Sequence, residues 1–391
     1  MISSLTSREH ISIFQTYKRL PIEIDYAKGC RIYTKDGAEY LDFLGGIAVN
    51  ALGHSHPRII EAICNQAHKY LHVSNYFYQE PQVLLAEKLK EISGFDRVYF
   101  CNSGSEAFES AVKLARKWGN LQGKTEIIGF TGGFHGRTYA PLSAMDRPLY
   151  KDGMEPFLPN NIVVKYNDCN LLRKSVGPFT CAVALEFLQG EGGVISATKE
   201  FIETLEELRH VYGFLVIADE VQSGGGRTGS YFGYEFYNFK PNLVTMAKAI
   251  GGGLPLGALL ANEEVAGVWK QGMHGTTYGG NALACVAGLV VLEELERGVL
   301  SNVHKVGIYL SEELSKLKTD NSLKIIELRG RGMMQGIVMN EDAIHVVTSL
   351  LEKKVITNAT AGNVVRLLPP LTISKEDVDE FIFSFKEILS N

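Results

Sequence analysis

Two charged residues, Asp219 and Lys248, each follow an apolar segment, and their types suit one kind of chemistry. Asp219 follows residues 214–218 (FLVIA), and Lys248 follows residues 242–247 (NLVTMA). Both segments are predicted to be buried strands, so both side chains should face the crevice at the carboxyl ends of an open α/β sheet. An amine beside a carboxylate suits pyridoxal phosphate (PLP), because the amine forms a Schiff base and the carboxylate pairs with the pyridinium nitrogen. A strand-end lysine taken alone is more often an ordinary ion-pair partner.

The segment Asn102-Ser-Gly-Ser-Glu106 predicts an anion site at the start of a helix. Its first serine and its glutamate are three residues apart, which fits a capping box, and Gly119 fits the C′ position of the same helix. The free amides and the positive dipole end of a helix bind anions, so we expect the amides around Gly104 and Ser105 to hold the phosphate of PLP. An ordinary helix start is the alternative.

The loop Phe134-His-Gly-Arg-Thr138 follows a predicted strand and contains an aromatic ring and a guanidinium group. Phe134 could stack on the pyridine ring of PLP, because flat π-systems pack well with an offset. Arg137 could bind a carboxylate through two parallel hydrogen bonds. Taken singly, a core phenylalanine and a surface arginine are the commoner situations.

A second acid and a second arginine stand in unusual contexts. Arg366 lies in the apolar segment 364–368 (VVRLL), and a buried arginine is costly without a carboxylate partner. Glu191, in the glycine-rich loop 189–193 (QGEGG), is a candidate for that partner. The small-residue loop around Thr276 and Thr277 offers hydroxyl groups suited to phosphate.

Short apolar strands alternate with helices from about residue 97 onward, which favours a mostly parallel, doubly wound sheet covered on both faces. The predicted strands are 97–100, 126–130, 162–166, 181–187, 214–220, 242–248 and 257–262. A hairpin is predicted within 31–43, and we expect it to join the C-terminal region in a small α/β domain. The predicted boundaries are 1–56 and 286–391 for the small domain and 57–285 for the large PLP-binding domain.

Composition limits the class of protein and its partners. The chain has 391 residues, a net charge of −5 and no basic run, so nucleic acid is not an expected partner. Six cysteines without CxxC pairing, no secretory core at the N-terminus and no membrane-length apolar stretch predict a cytoplasmic protein. His54 and His56 are two residues apart, but without a cysteine or acid cluster we expect no metal site.

Nine segments in order along the chain resemble the class III PLP-dependent aminotransferases, of the ornithine and acetylornithine type. The resemblance runs from about Tyr17 to the C-terminus through GGIAVNALGHSHP, CNSGSEA, KLARKWG, FTGGFHGRT, LQGEGG, ADEVQSGGGRTG, AKAIGGGLPLGA, HGTTYGGN and RLLPPL. Within the class, VSNYFYQEPQ (73–82), YNDCNLL (166–172) and ITNATAGNVVRLLPPL (356–371) are most similar to members that act on N-acetylornithine. The resemblance implies PLP-dependent fold type I.

The resemblance implies a role for each matching residue. Lys248 and Asp219 would be catalytic, the former by forming the Schiff base. PLP contacts would come from Gly104, Ser105, Phe134, Asp219, Glu220, Val221, Gln222, Lys248 and, across a homodimer interface, Thr277. Substrate contacts would come from Arg137, Thr276, Arg366, Glu191 and Tyr17. Arg366 would bind the α-carboxylate of glutamate, and Glu191 would pair with it when the other substrate is present.

The implied reaction moves the δ-amino group of N2-acetyl-L-ornithine to 2-oxoglutarate, giving N-acetyl-L-glutamate 5-semialdehyde and L-glutamate, in arginine biosynthesis. Succinylornithine, acetyl-lysine, ornithine and 4-aminobutyrate are alternative donors. A PLP-fold protein that binds without turnover is a remote alternative, against which the catalytic residues argue. The chain departs from the usual family pattern at 108–111, 187–188 and 223–226, which affects the substrate entrance rather than the catalytic groups.

Overall fold

The computed structural model describes residues 4–390, and its strands form four sheets. The strands are β1 Ile24–Lys28, β2 Arg31–Thr34, β3 Glu39–Asp42, β4 Arg97–Cys101, β5 Glu126–Phe130, β6 Asn161–Val164, β7 Thr180–Leu185, β8 Leu188–Gln189, β9 Ile195–Ser196, β10 Leu215–Asp219, β11 Leu243–Met246, β12 Gly257–Ala261, β13 Ile325–Arg331, β14 Met334–Met339, β15 Val355–Ile356, β16 Asn358–Thr360 and β17 Val364–Leu367. The helices are α1 Leu5–Ser12, α2 Gly45–Ala48, α3 Pro57–Lys69, α4 Glu80–Ser93, α5 Gly104–Asn120, α6 Tyr139–Ser143, α7 Pro148–Lys151, α8 Cys169–Ser175, α9 Lys199–Tyr212, α10 Glu263–Ala266, α11 Ala282–Glu294, α12 Leu300–Asp320, α13 Ala343–Glu352 and α14 Lys375–Ser390.

The largest sheet has seven strands in the order β4-β12-β11-β10-β7-β5-β6. Strands β11, β10, β7, β5 and β6 run parallel, whereas β12 is antiparallel to both of its neighbours. Along β10 the side chains alternate between two apolar clusters, with Val216 and Ala218 in one and Leu215 and Ile217 in the other. Period-two alternation between two buried faces explains why this strand is apolar throughout. The predicted α/β class and mostly parallel sheet are confirmed.

The two ends of the chain meet in a second, smaller sheet. β2 and β3 pair antiparallel, which confirms the predicted hairpin, and β15 joins the edge of β3 in parallel. β13, β14, β17 and β16 form a further sheet that carries Arg366. The predicted boundary at 285/286 falls inside α11, which packs on α3 and α4. The domain boundaries stay predictions.

Helix α5 shows one wrong prediction. Gly119 was predicted as the C′ residue, but the helix continues through it to Asn120. The reason for glycine here is packing, because a Cβ at position 119 would lie 2.5 Å from the sulfur of Cys181. Within residues 4–390, no helix is both long enough and apolar enough to cross a bilayer.

Candidate active site

Asp219 and Lys248 lie at the carboxyl ends of two neighbouring parallel strands, as the sequence predicts. Asp219 is the last residue of β10 and lies opposite Thr245 of β11. Thr245 precedes Lys248 by three residues in the sequence. Both residues line a cavity of about 340 Å³. The order of the sheet therefore brings a carboxylate and an amine to one crevice, where open α/β sheets bind ligands.

The backbone and the environment of Lys248 are both unusual. Its φ angle is 48°, in the left-handed region that residues with a Cβ seldom occupy. Burial, together with the charge of Arg366, lowers the pKa of the Lys248 amine, and Glu191 and Asp219 oppose the shift. A strained backbone and a lowered lysine pKa in a crevice are both typical of a functional residue.

Asp219 is held in place by a histidine that sequence reasoning missed. Nδ1 of His135 lies 2.7 Å from Oδ2 of Asp219, and both side chains are buried. Oδ1 of Asp219 accepts a hydrogen bond of 3.1 Å from the amide of Val221. The His135 ring stacks on Phe108 with centroids 4.3 Å apart. The available signal was the position of His135 in the loop 134–138, beside two residues already singled out.

The start of α5 provides an anion site on the wall of the cavity. Oγ of Ser103 accepts a hydrogen bond of 3.2 Å from the amide of Glu106, which confirms the serine half of the predicted capping box. The Glu106 carboxylate accepts from the amide of Asn102 rather than from that of Ser103. The amides of Gly104 and Ser105 donate to no group within residues 4–390, and both residues line the cavity. A Cβ at Gly104 would lie 2.8 Å from Val221, so glycine permits this close approach. Unpaired amides at a helix start suit a phosphate.

These residues fit PLP. The free amides of Gly104 and Ser105 suit its phosphate, and the buried carboxylate of Asp219 suits a protonated ring nitrogen. Phe134 and Val221 both line the cavity, where they would contact the ring. The cofactor contacts of the individual residues remain proposals.

Arg366 and Glu191 form the predicted ion pair. Nη1 of Arg366 lies 2.6 Å from Oε1 of Glu191, and the arginine side chain is 1% exposed. Burial acts to raise the pKa of Glu191, but the charge and hydrogen bond of Arg366 prevail and hold it below the usual value. Nε of Arg366 donates to the amide oxygen of Asn358 at 3.2 Å. The pair therefore holds a buried cation masked by a carboxylate, and the charge of Arg366 contributes to the lowered pKa of the Lys248 amine. Neither Arg366 nor Glu191 lines the cavity itself.

Glu186 is a second residue that sequence reasoning missed, and it joins two loops of the site. One carboxylate oxygen accepts from the amide of Phe134 at 2.9 Å, and the other from the amide of Gly190 at 3.1 Å. Burial raises the pKa of Glu186. The contacts fix the cavity loop against the loop that carries Glu191.

Two residues expected at PLP are engaged elsewhere. The carboxylate of Glu220 accepts hydrogen bonds from the amides of Gly233 and Tyr234 and from the Ser223 hydroxyl. The amide oxygen of Gln222 accepts from Nη1 of Arg366 at 3.2 Å. Neither residue lines the cavity.

The cavity is not lined by Thr276, Thr277 or Tyr17 either. Oγ1 of Thr276 accepts from the side-chain amide of Asn102 at 3.2 Å, and Thr276 lines a separate cavity. Thr277 is exposed on the same loop. Tyr17 is 73% exposed in the N-terminal segment. The fold of this chain therefore does not bring these three residues to the cavity that holds Lys248.

Known proteins similar to this chain agree with its fold and with the predicted class of enzyme. Residues 13–389 match the model of the family described as aminotransferase class-III. An acetylornithine aminotransferase of Aquifex aeolicus is 43% identical over 96% of this chain and 99% of its own. The structure of N-acetylornithine aminotransferase from Stenotrophomonas maltophilia is 32% identical, with a TM-score of 0.84, covering 99% of this chain and 98% of its own. The ornithine aminotransferase of Toxoplasma gondii, with partial PLP occupancy at its active site, is 29% identical with a TM-score of 0.93, covering 99% and 95%.

A doubly wound sheet with an acid and a lysine at its carboxyl edge defines a fold-type-I, PLP-dependent enzyme. The chain belongs to the class III aminotransferases, and it is a PLP-dependent aminotransferase.

Proposed function

We propose that the enzyme transfers the δ-amino group of N2-acetyl-L-ornithine to 2-oxoglutarate, giving N-acetyl-L-glutamate 5-semialdehyde and L-glutamate for arginine biosynthesis. The observation that carries the proposal is the buried ion pair of Arg366 and Glu191, whose arginine charge contributes to the lowered pKa of Lys248, together with Arg137 on the wall of the Lys248 cavity. Similarity to acetylornithine aminotransferases supports the same substrate.

The ion pair suits two substrates that differ in charge next to the reacting amine. Glutamate carries a carboxylate next to the reacting amine, whereas acetylornithine has only methylene carbon there. A cation at that place must be available for one substrate and neutralised for the other. Arg366 would bind the α-carboxylate of glutamate after releasing Glu191, and it would stay paired with Glu191 when acetylornithine is bound. Arg137 would hold the carboxylate at the far end of both molecules.

When bound, PLP supplies an aldehyde that condenses with amines and a ring that accepts the electron pair of a deprotonated carbon. Asp219 would keep a proton on the ring nitrogen, with His135 fixing its carboxylate. Lys248 would move the proton between the substrate carbon and the carbon of the cofactor. Its lowered pKa suits this role, because the neutral amine needed to accept a proton forms more readily.

We propose a homodimer in which Thr277 of the partner subunit completes the phosphate site. The loop that precedes α4 exposes three adjacent aromatic residues, Tyr76, Phe77 and Tyr78, at 94%, 66% and 105%. The neighbouring Asn75 side chain donates to the carbonyl of Thr276 at 3.1 Å, which joins this loop to the threonines. Apolar surface of this size, continuous with residues that a site needs, suits an interface with a second copy.

The dimer is tested with Phe77→Asp, which places a charge in the proposed interface. We expect a monomer in sedimentation and a fall in PLP affinity of at least about tenfold, because a phosphate contact is lost with the interface. A monomer that binds PLP as tightly as the parent would refute the shared site.

The six cysteines carry free thiols, which supports the proposed cytoplasmic location.

A donor panel tests the substrate. Acetylornithine, succinylornithine, acetyl-lysine, ornithine and 4-aminobutyrate would each be assayed with 2-oxoglutarate, measuring kcat/KM from glutamate formed. We expect the highest value with acetylornithine. A higher value with any other donor would refute the proposed substrate without affecting the enzyme class.

A further inference from the structure

The guanidinium of Arg137 lies over the face of an aromatic ring. Its central carbon is 3.4 Å from the ring centroid of Tyr150 and 5.6 Å from that of Phe134. Within residues 4–390, the Arg137 side chain forms no ion pair and donates no hydrogen bond. The Tyr150 face is therefore the main contact that orients this cation, and stacking of arginine on aromatic rings is favourable.

Tyr150 is itself held at this place. It lies in α7, and its amide donates to the carbonyl of Arg147 at 3.0 Å. Nη2 of Arg147 donates to the carbonyl of Gly132 at 2.7 Å, which ties α7 to the loop that carries Phe134. The edge of Phe134 meets the Tyr150 ring at 87°, with centroids 6.1 Å apart. The ring is thus fixed to the same loop as the guanidinium that it supports.

Stacking leaves the edge of the guanidinium plane free. A planar cation with one face covered by a ring still presents its N–H donors along its edge, and that edge matches a carboxylate. Without the ring, the long side chain would sample many rotamers and lose that freedom on binding. We propose that Tyr150 is a specificity-determining positioning residue, whose ring face holds Arg137 ready for the far carboxylate of both substrates. The inference rests on the proposed function.

Two variants separate the ring face from the hydroxyl group. Tyr150→Phe keeps the ring, and Tyr150→Leu removes it. We expect Tyr150→Phe to stay within about twofold of the parent, and Tyr150→Leu to raise KM for acetylornithine and for 2-oxoglutarate by about 3- to 30-fold, the range of a cation–π contact. The kcat of Tyr150→Leu should change much less, because the contact serves binding. Losses in Tyr150→Phe equal to those in Tyr150→Leu would overturn the role of the ring.

A donor without the far carboxylate is the internal control. N-acetyl-1,4-diaminobutane is acetylornithine without that group, so its single-turnover rate should be the same in the parent and in Tyr150→Leu. The ratio of the two donors is taken within one preparation, so incomplete folding of the variant does not affect it; Tyr150→Gln serves as a second variant. An equal loss with both donors would show a merely structural role and overturn the inference.

Binding without turnover gives a separate measurement. Glutarate has two carboxylates and no amine, and its affinity for the PLP-loaded enzyme can be measured by calorimetry. We expect Tyr150→Leu to bind glutarate about 3- to 30-fold more weakly, with PLP content unchanged. Arg137→Ala distinguishes the two proposals. If Arg137→Ala binds glutarate normally, the proposed carboxylate site is wrong; if only Tyr150→Leu binds normally, the Tyr150 inference alone is wrong.

Discussion

Replacing Arg366 by alanine should damage one half of the reaction far more than the other. Its guanidinium is 1% exposed, lies 2.6 Å from Glu191 and also donates to Gln222 and Asn358, so its position is fixed by three side chains. Removing a buried partner of a carboxylate costs about 2–5 kcal/mol. The glutamate half-reaction should therefore lose about 30- to 4000-fold in kcat/KM, at about 1.4 kcal/mol per factor of ten.

The acetylornithine half-reaction should lose much less, because in the proposed switch Arg366 stays paired with Glu191 when that donor is bound. Each half-reaction is followed by stopped flow under single-turnover conditions, from the cofactor's absorbance. Arg329→Ala is the matched control. Arg329 donates a hydrogen bond to the carbonyl of Gly193, in the loop that carries Glu191, but its ion pair is with Glu327. We expect the control to stay within about twofold, as for a surface ion pair. Equal losses on both substrates in Arg366→Ala would refute the switch.

Three further outcomes follow from the site. Lys248→Ala should lose turnover by at least about a thousandfold and still bind PLP through its phosphate, measured by kinetics and by bound cofactor; near-normal turnover would contradict the assignment. Asp219→Ala should slow both half-reactions alike in stopped flow, whereas a loss confined to one would make Asp219 a substrate contact. In the PLP-free protein, the pKa of Lys248 is lowered by burial, while that of Lys88 is raised by its hydrogen bond to Glu296. The neutral amine, which reacts with acetic anhydride, predominates above the pKa. Acetic anhydride should therefore modify Lys248 at a lower pH than Lys88, as measured by mass spectrometry. The same pH profile for both lysines would refute the shift.

Much of the fold could be predicted from the sequence because buried parallel strands are apolar throughout. The predicted strand at 126–130 agrees with β5 at both ends. The prediction was wrong at Gly119. The neighbouring sequence does not distinguish a glycine that ends a helix from a glycine that is needed because another segment packs closely against it. What decides between them is Cys181, 62 residues away and adjacent only in the folded chain.

In the site too, residues were predicted where their own segment indicates a role and were missed where the role depends on contacts made in the folded protein. Asp219 and Lys248 could be placed because each stands at the end of its own apolar segment. The contact of Glu191 with Arg366 was predicted because a buried arginine needs a carboxylate. His135 was missed because its partner Asp219 lies 84 residues along the chain. Tyr150 was missed because its contact with Arg137 forms only when α7 packs against the loop 134–138. The roles of Thr276 at the substrate and Thr277 at the phosphate were predicted from the resemblance, and both residues lie outside the Lys248 cavity.

The left-handed backbone of Lys248 has a consequence for how this enzyme can be stabilised. A residue other than glycine in that conformation carries strain on the order of 1–3 kcal/mol. The turn formed by residues 248–251 packs against α11 and β12, which hold Lys248 in this conformation. Part of the folding free energy therefore offsets the strain of one residue. Lys248→Gly, although inactive, should therefore melt at a higher temperature than the parent when both lack PLP. A search that selects only for thermal stability would be drawn toward losing the very residue that makes the protein an enzyme.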